Sequence, residues 1–481
     1  MMRSLFMQAP SFDGYDGGAG ARYQMKREVK SFWYPTWLAQ PAAMIPGSRL
    51  IDAPAHDQSW DDIKHEVDDK ELIVLHTSTP SFRQDIHTAE LIRARNPRAL
   101  IGLIGAKVAV EAQKSLEASS AVDFVCRNEF DFTIVEIAEG KPLAEVEGIS
   151  YRAPDGQIVH NQDRPILTDM DQLPFVSPIY KRDLTIEKYF GGYLKHPYVS
   201  FYTGRGCKSR CTFCLWPQTV GGHNYRVRSI PHVIEEVKYV LREMPEVKEI
   251  FFDDDTLTDN LPRVEALAVE LGKLGFGKPG FGVAWSCNAK ANVPRKTLEV
   301  MKAGGCRLLL VGYESGNQQI LHNIKKGLRV DVAKQFTKDC HELGIVIHGT
   351  FILGLPGETL ETIEETIRYA IEINPHTIQV SLAAPYPGTF LYKQAMENGW
   401  FDGTDHLLTD GGTQIAQLSY PHLSSEVIFD KVEEMYKRFY FRPRKIGAIV
   451  GEMVRDFDMM KRRLREGVEF FSFLRHRKEA A

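Results

Sequence analysis

The 481-residue sequence lacks the marks of several whole classes of protein. Its formal charge is only −4, from 59 Lys and Arg against 63 Asp and Glu, too even for a surface that tracks a nucleic-acid backbone, so no nucleic-acid partner is expected. No stretch approaches the roughly 20 apolar residues that span a bilayer. The longest, around residues 101–110, is short and interrupted by Lys107. The opening residues, MMRSLFMQAPSFDGYDGG, carry no apolar signal-peptide region. Cysteine is scarce and odd in number, 7 in all, with three inside residues 207–214 and four scattered, which excludes a secreted disulfide framework and points to the reducing cytoplasm. With 38 Gly and 25 Pro the chain is neither fibrous nor low-complexity, and its 43% hydrophobic content is that of an ordinary globular protein.

At about 150 residues per domain, the length suggests roughly three units. Up to residue 147, short apolar runs at 5–7, 50–52, 72–76, 100–104 and 122–126 alternate with helical stretches at 82–95 and 110–118, the pattern of a Rossmann-like α/β domain built on a parallel sheet. Such sheets bind ligands at the carboxyl ends of their strands. Residues 148–197, with Pro154, Pro165, Pro174, Pro178 and Pro197 among polar neighbours, read as a linker. A second β/α series fills residues 198–423, with strands expected near 199–202, 248–252, 282–287, 307–313, 345–352 and 377–382, enough for a partial six-unit barrel. Residues 424–481 read as helical and basic, residues 431–481 holding 14 Lys and Arg against 8 Asp and Glu.

The chemistry is concentrated after the first strand of that barrel, where GRGCKSRCTFC sets Cys207, Cys211 and Cys214 on a glycine-loosened loop. A structural zinc site needs four closed ligands, and the nearest spare one, His223, has no partner cysteine pair. Three thiolates suit an iron-sulfur cluster better, and they leave one iron open to bind something else. Cys126, Cys287, Cys306 and Cys340 sit among apolar neighbours and read as small buried hydrophobes.

The Cys-x3-Cys-x2-Cys spacing, with aromatic Phe213 before the third cysteine, resembles the radical S-adenosylmethionine (SAM) superfamily. The resemblance implies a four-iron four-sulfur cluster on Cys207, Cys211 and Cys214, SAM bound at the open iron, and hydrogen abstraction by a 5′-deoxyadenosyl radical, with a reduced flavodoxin or ferredoxin type of electron donor. It also implies SAM contacts at later strand ends. Asp253 and Asp254, with Asp255, stand where the family usually places Gly-Gly-Glu against the SAM amino group, or else form a solvated turn or cap. Glu314 and Ser315 in VGYESG face the ribose, and Gly354 in GTFILGLPGET permits close backbone approach, with Thr359 as a helix cap. Lys290 is either a partner of the SAM carboxylate or an exposed lysine. His223, Arg226 and Arg228 lie on the loop beyond the cysteines, where substrate or cofactor contact is expected.

The amino-terminal domain resembles the cobalamin-binding domain that precedes the barrel in one branch of the superfamily. No Asp-x-His-x-x-Gly supplies a lower cobalt ligand, so either cobalamin binds without an axial histidine or the fold has lost it. A narrower resemblance covers nearly the whole chain and is carried by SFDGYDGGAGARYQ, SFWYPTWLAQPA, HTSTPSF and GRGCKSRCTFCLWPQTVGGHNYRVRS. It is to the J-type radical SAM family of bacterial hopanoid biosynthesis. That family implies a hopanoid lipid substrate and contraction of the amino-sugar head of a bacteriohopanetetrol glycoside to an aminocyclopentitol. Domain order alone suggests a cobalamin-dependent methylase instead, and a non-catalytic iron-sulfur scaffold is the reading from another class. In the tail, Ile446, Ile449, Val450, Met453, Phe457, Met460, Leu464, Val468 and Phe471 recur at helical spacing beside Arg455, Lys461, Arg462, Arg463 and Arg465. That stripe suits a seam on the barrel or peripheral contact with the inner membrane surface.

The cysteine assignment predicts that Cys211→Ala loses most of its iron after anaerobic reconstitution and no longer cleaves SAM, because two thiolates are too few to hold the cluster. Iron and sulfide analysis checks this, and full iron content with SAM cleavage refutes it.

Overall fold

Two sheets account for the β/α alternation. The computed structural model describes residues 1–10, 31–403 and 415–455 and, beyond them, residues 460, 464, 467 and 468. The segment SFDGYDGGAGARYQ and much of the tail stripe, Phe457, Phe471, Lys461, Arg462, Arg463 and Arg465 among it, therefore lie outside the described residues.

The amino-terminal sheet contains β1 (Ser4–Gln8), β2 (Arg49–Asp52), β3 (Leu72–His76), β4 (Leu100–Ile104), β5 (Phe124–Cys126), β6 (Ile149–Arg152) and β7 (Ile158–His160), in the order β2-β1-β3-β4-β5-β6-β7. The first five run parallel and the last two antiparallel. β1 and β3 are buried along their whole length, as expected of parallel strands covered on both faces. The helix expected over 110–118 is instead two short ones, Ala106–Val110 and Ala112–Glu117, broken at Glu111, whose carboxylate pairs with Lys107 at 2.7 Å.

Residues 148–197 do more than bridge. β6 and β7 extend the sheet, and the helix Ser177–Asp183 is tied to the barrel by Glu236, which accepts from the Val176 and Ser177 amides and from the Ser177 hydroxyl. Tyr180 and Tyr189 are fully buried, and Tyr34 stacks on Tyr189 at 4.2 Å. Pro178 lies in the first turn of the helix Ser177–Asp183, where proline is tolerated.

The second sheet holds β8 (Tyr198–Phe201), β11 (Glu249–Phe252), β12 (Ala284–Ala289), β13 (Cys306–Glu314), β14 (Val346–Leu353) and β15 (Thr377–Leu382), all parallel, in the order β15-β14-β13-β12-β11-β8. This is the expected partial (β/α)6 barrel. A hairpin of β9 (Gly204–Arg205) and β10 (Arg226–Val227) frames the cysteine loop. The barrel is completed at β15 by the helix Ser425–Tyr440: the Tyr440 hydroxyl accepts from the Ile378 amide at 2.9 Å and the Tyr436 hydroxyl from the Val380 amide at 2.8 Å. Its amino-terminal end is plugged by Trp33, 5.3 Å from Phe251, and by Tyr193, stacked on His348 at 4.1 Å.

The two sheets meet at a buried ionic junction. Arg205 pairs with Asp131 at 2.5 Å, Arg226 with Glu129 at 2.7 Å, and the Arg205 guanidinium lies 4.7 Å over the Trp37 ring. Trp37 in turn stacks on Trp216 at 4.7 Å. Removing Asp131 leaves the buried Arg205 with only Glu129, 3.6 Å away, as counter-charge, so Asp131→Ala should cost about 3 kcal/mol, whereas Asp131→Leu with Arg205→Met should cost less. Urea unfolding of the three proteins checks this, and a double variant as unstable as the single one refutes it.

Candidate active site

Thr203, just past β8, starts the loop that carries the three cysteines. Gly206 has φ +89°, and a Cβ there would meet the Asn224 carbonyl oxygen at 2.2 Å, so this turn needs glycine. Cys207 and Cys211 are buried, and Cys214 is half-buried. Gln218 clamps the loop, its side-chain amide donating to the carbonyls of Cys211 at 3.2 Å, Thr212 at 3.2 Å and Cys214 at 2.7 Å. A closed zinc site would need a fourth ligand, and the spare candidate, His223, is turned to the Cys207 carbonyl at 3.3 Å. The donor set does fit a cluster. Burial first, then repulsion from Cys211, Asp255 and Cys207, pushes the Cys214 thiol well above its ordinary range.

The aspartate triplet after β11 mainly shapes that loop. Asp254 is fully buried and accepts from the Thr203 amide at 2.5 Å, the Thr203 hydroxyl at 2.6 Å and the Tyr225 hydroxyl at 2.6 Å, so it braces the loop and does not face the barrel mouth. Asp255 accepts from the Gly206 amide at 3.1 Å. Asp253 is half-buried at the carboxyl end of β11, on the inner side, 3.5 Å from the Asn288 amide nitrogen. Lys290 is neither free nor simply exposed: its ammonium pairs with buried Asp259, which also accepts from the Lys208 amide in the cysteine loop at 2.9 Å.

Glu314 ends β13 at φ +64°, after a register shift, and is buried. Its carboxylate accepts from Lys326 Nζ at 2.6 Å, and a Cβ on Gly312 would come within 2.8 Å of the same Nζ, so the pair lies over the inner face of β13. Ser315 points elsewhere: it is 1% exposed and its hydroxyl meets that of Thr366 at 3.0 Å, which ties the turn to an outer helix. Gly354, φ +85°, has both backbone groups engaged, its amide donating to Glu358 at 2.6 Å and its carbonyl accepting from Tyr420 at 2.8 Å. Thr359 caps the next helix as expected, accepting from the Thr362 amide. Phe213 packs against the main core. His223 contacts the Cys207 carbonyl at 3.3 Å, and Arg226 and Arg228 are held in ion pairs with Glu129 and Glu236. These three therefore frame the loop.

Beside this mouth lies the carboxyl end of the amino-terminal sheet. Order β2-β1-β3 places a crevice between β1 and β3, where an open α/β sheet takes ligands. Gln8 ends β1 there, 2% exposed, with a side-chain oxygen that has no hydrogen-bond partner among the described residues. Thr77 and Ser78 follow β3, and Gly105 lets the next turn approach, since a Cβ would lie 2.1 Å from the Thr77 carbonyl oxygen. The Ser78 hydroxyl meets that of Ser81 at 2.9 Å and Thr77 is fully buried, so Gln8 is the group here that fits an amide-bearing ligand such as a corrinoid held without an axial histidine. Helix Ala106–Val110 packs on helix Leu215–Thr219, and Gly388 makes room for Val110, so the crevice and the cysteine loop are neighbours.

Lys326, Gln218 and the Arg205–Asp131 contact were not singled out by motif. Lys326 follows a helix in a polar stretch, and Asp131 lies 74 residues from Arg205, so no local pattern links either to the cysteines.

Comparison with known proteins agrees with this geometry. Residues 201–370 match the model of the radical SAM superfamily. The chain is 29% identical over 435 residues, 87% of its length and 90% of the relative's, to an uncharacterized methyltransferase of Pyrococcus horikoshii. It is 25% identical over 410 residues, 82% of its length and 70% of the relative's, to the anaerobic magnesium-protoporphyrin IX monomethyl ester cyclase of Rubrivivax gelatinosus. In structure it resembles the radical SAM methyltransferase TsrM from Kitasatospora setae, with TM-score 0.68 and 13% identity over 92% of this chain and 89% of that one. A further TsrM structure holds cobalamin and a four-iron four-sulfur cluster. The cobalamin-dependent enzyme OxsB gives TM-score 0.60 and 15% identity over 91% of this chain and 61% of that one. At these identities the likeness is one of fold, a parallel α/β sheet followed by a partial barrel.

Glu358 supports the Gly354 turn from a fully buried position, and burial pushes its carboxyl up to about 8. The folded protein thus keeps a proton that the unfolded chain releases in the ordinary carboxylate range, and stability falls as pH rises from there to about 8. Glu358→Gln keeps the accepting oxygen and should flatten that fall. Thermal melts of both proteins between pH 5 and 9 check this, and parallel curves refute it.

Proposed function

We propose that this chain, a radical SAM enzyme by its domain over residues 201–370, transfers a methyl group to an unactivated carbon and holds cobalamin beside the cysteine loop. The observation that carries the reading is the contact of helix Ala106–Val110 with helix Leu215–Thr219, which puts the β1/β3 crevice next to the three thiols. The named methyltransferase relatives support it. When bound, the cluster and SAM supply reductive cleavage to a 5′-deoxyadenosyl radical, and cobalamin supplies a methyl carrier. The chain's part is placement. Cys207, Cys211 and Cys214 would ligate iron, Glu314 and Lys326 would orient the ribose and carboxylate of SAM, and Asp253 would meet its amino group. Gln8 would hydrogen-bond a corrinoid amide. A reduced flavodoxin or ferredoxin type of protein would deliver the electron.

A second reading is contraction of the amino-sugar head of a bacteriohopanetetrol glycoside to the cyclitol ether. It is favoured by the exposed apolar face of helix Pro443–Arg455, where Ile446 and Val450 are 45% and 50% exposed beside Arg444, a surface suited to an anionic bilayer that holds the lipid. No helix among the described residues is long and apolar enough to cross a membrane, so such contact would be peripheral.

Anaerobic reconstitution with iron, sulfide and cobalamin, followed by turnover with SAM, a reductant and glucosaminyl bacteriohopanetetrol, separates the two. The first reading expects stoichiometric cobalt and S-adenosylhomocysteine, and a cobalt-free protein that forms none overturns it. The second expects cyclitol ether with 5′-deoxyadenosine, and absence of cyclitol ether by mass spectrometry overturns it.

A further inference from the structure

The strands at the open side of the barrel show two environments. On β15, Ile378, Val380 and Leu382 are at most 6% exposed and belong to the core. On β14, Phe351 packs 6.5 Å from Tyr369 of the outer helix Leu360–Ile373. The alternate residues, Thr350 and Ile352 on β14 and Gln379 and Ser381 on β15, therefore face the lumen. All four are half-buried and not sealed. Trp33 and Tyr193 plug the far end, so this exposure comes from the mouth, the side on which the cysteine loop and the Glu314–Lys326 pair lie.

The chemistry of this wall is uncharged. The side chains of Gln379 and Ser381 make no hydrogen bond among the described residues, and that of Thr350 makes only a long one, 3.4 Å, to the Val311 carbonyl. Leu310 and Ile352 add apolar surface between them. Nearby cations are engaged, Lys326 by Glu314 and Lys290 by Asp259. An anion brought to this wall would lose hydration without gaining a counter-charge. A ring bearing several hydroxyls would find donors and acceptors on one strand face and apolar contact for its C–H edges.

We propose that Gln379 and Ser381, with Thr350 beside them, are specificity-determining residues that hydrogen-bond the hydroxyl groups of a polyol or sugar head and make the site reject phosphorylated ligands. The inference rests on the radical SAM reading of the barrel, yet it holds for either methyl transfer or ring contraction. A site built to bond hydroxyls discriminates by leaving its own polar groups unpaired when the ligand lacks them.

The test is equilibrium dialysis of the reconstituted full chain, with SAM present, against radiolabelled methyl glucoside, methyl glucosaminide and glucose 6-phosphate. Expected are binding of both glycosides in preference to the phosphate, and roughly 3- to 10-fold weaker glycoside binding in Gln379→Leu and in Ser381→Ala, the effect of one lost hydrogen bond. Iron content and SAM affinity should be unchanged, which shows that the variants fold. Preference for the phosphate, undiminished glycoside binding by the double variant, or no glycoside binding by the parent protein overturns the proposal. No turnover is needed, so failure of the proposed reaction and failure of this site are separate results.

Discussion

The buried Arg205 guanidinium sets how the two halves of the molecule meet. It lies two residues before Cys207, takes its counter-charge from Asp131 across the domain junction, and rests on Trp37, which stacks on Trp216 just beyond Cys214. A fully desolvated cation tolerates few alternative neighbours. One side chain thus holds the amino-terminal sheet, the segment after residue 31 and both ends of the cysteine loop in a single register. The positions of the crevice, the thiols and the barrel mouth follow from it.

Around that register the carboxylates divide by the groups they bind. Asp254, Asp255 and Asp259 are turned into the cysteine loop and hold its amides and hydroxyls. Asp253 and Glu314 remain at the mouth, Glu314 charge-balanced by Lys326. The carboxylates that shape the loop are therefore not the ones left at the mouth.

Much of this was legible in the sequence where the signal is local. Cys207, Cys211 and Cys214 on one loop, the six barrel strands, the helix from Phe82 to Arg95 and the cap at Thr359 all follow from spacing or periodicity. What was not legible depends on contacts distant in sequence. Asp254, Ser315 and Lys290 stand at the strand ends where a motif places ligand contacts, yet Thr203, Thr366 and Asp259 engage them. Residues 148–197 look like a linker because prolines dominate their composition, while the edge of β5 and the carboxylate of Glu236 recruit them into packed structure. Lys326 has no motif at all, and only the bend of β13 at Glu314 brings it to the mouth.

The contact of Tyr436 and Tyr440 with β15 has a consequence for how the barrel could have evolved and how it can be cut. Two phenol hydroxyls stand where a neighbouring strand would otherwise supply acceptors, so the last strand of the sheet is shielded by side chains of a helix that follows it in the chain. A chain shortened before Ser425 would leave those amides as a ready template for another copy, and intermolecular strand addition would compete with folding. The helix Ser425–Tyr440 is in that sense a guard against strand addition, even though none of its described hydrogen bonds reaches the cysteine loop.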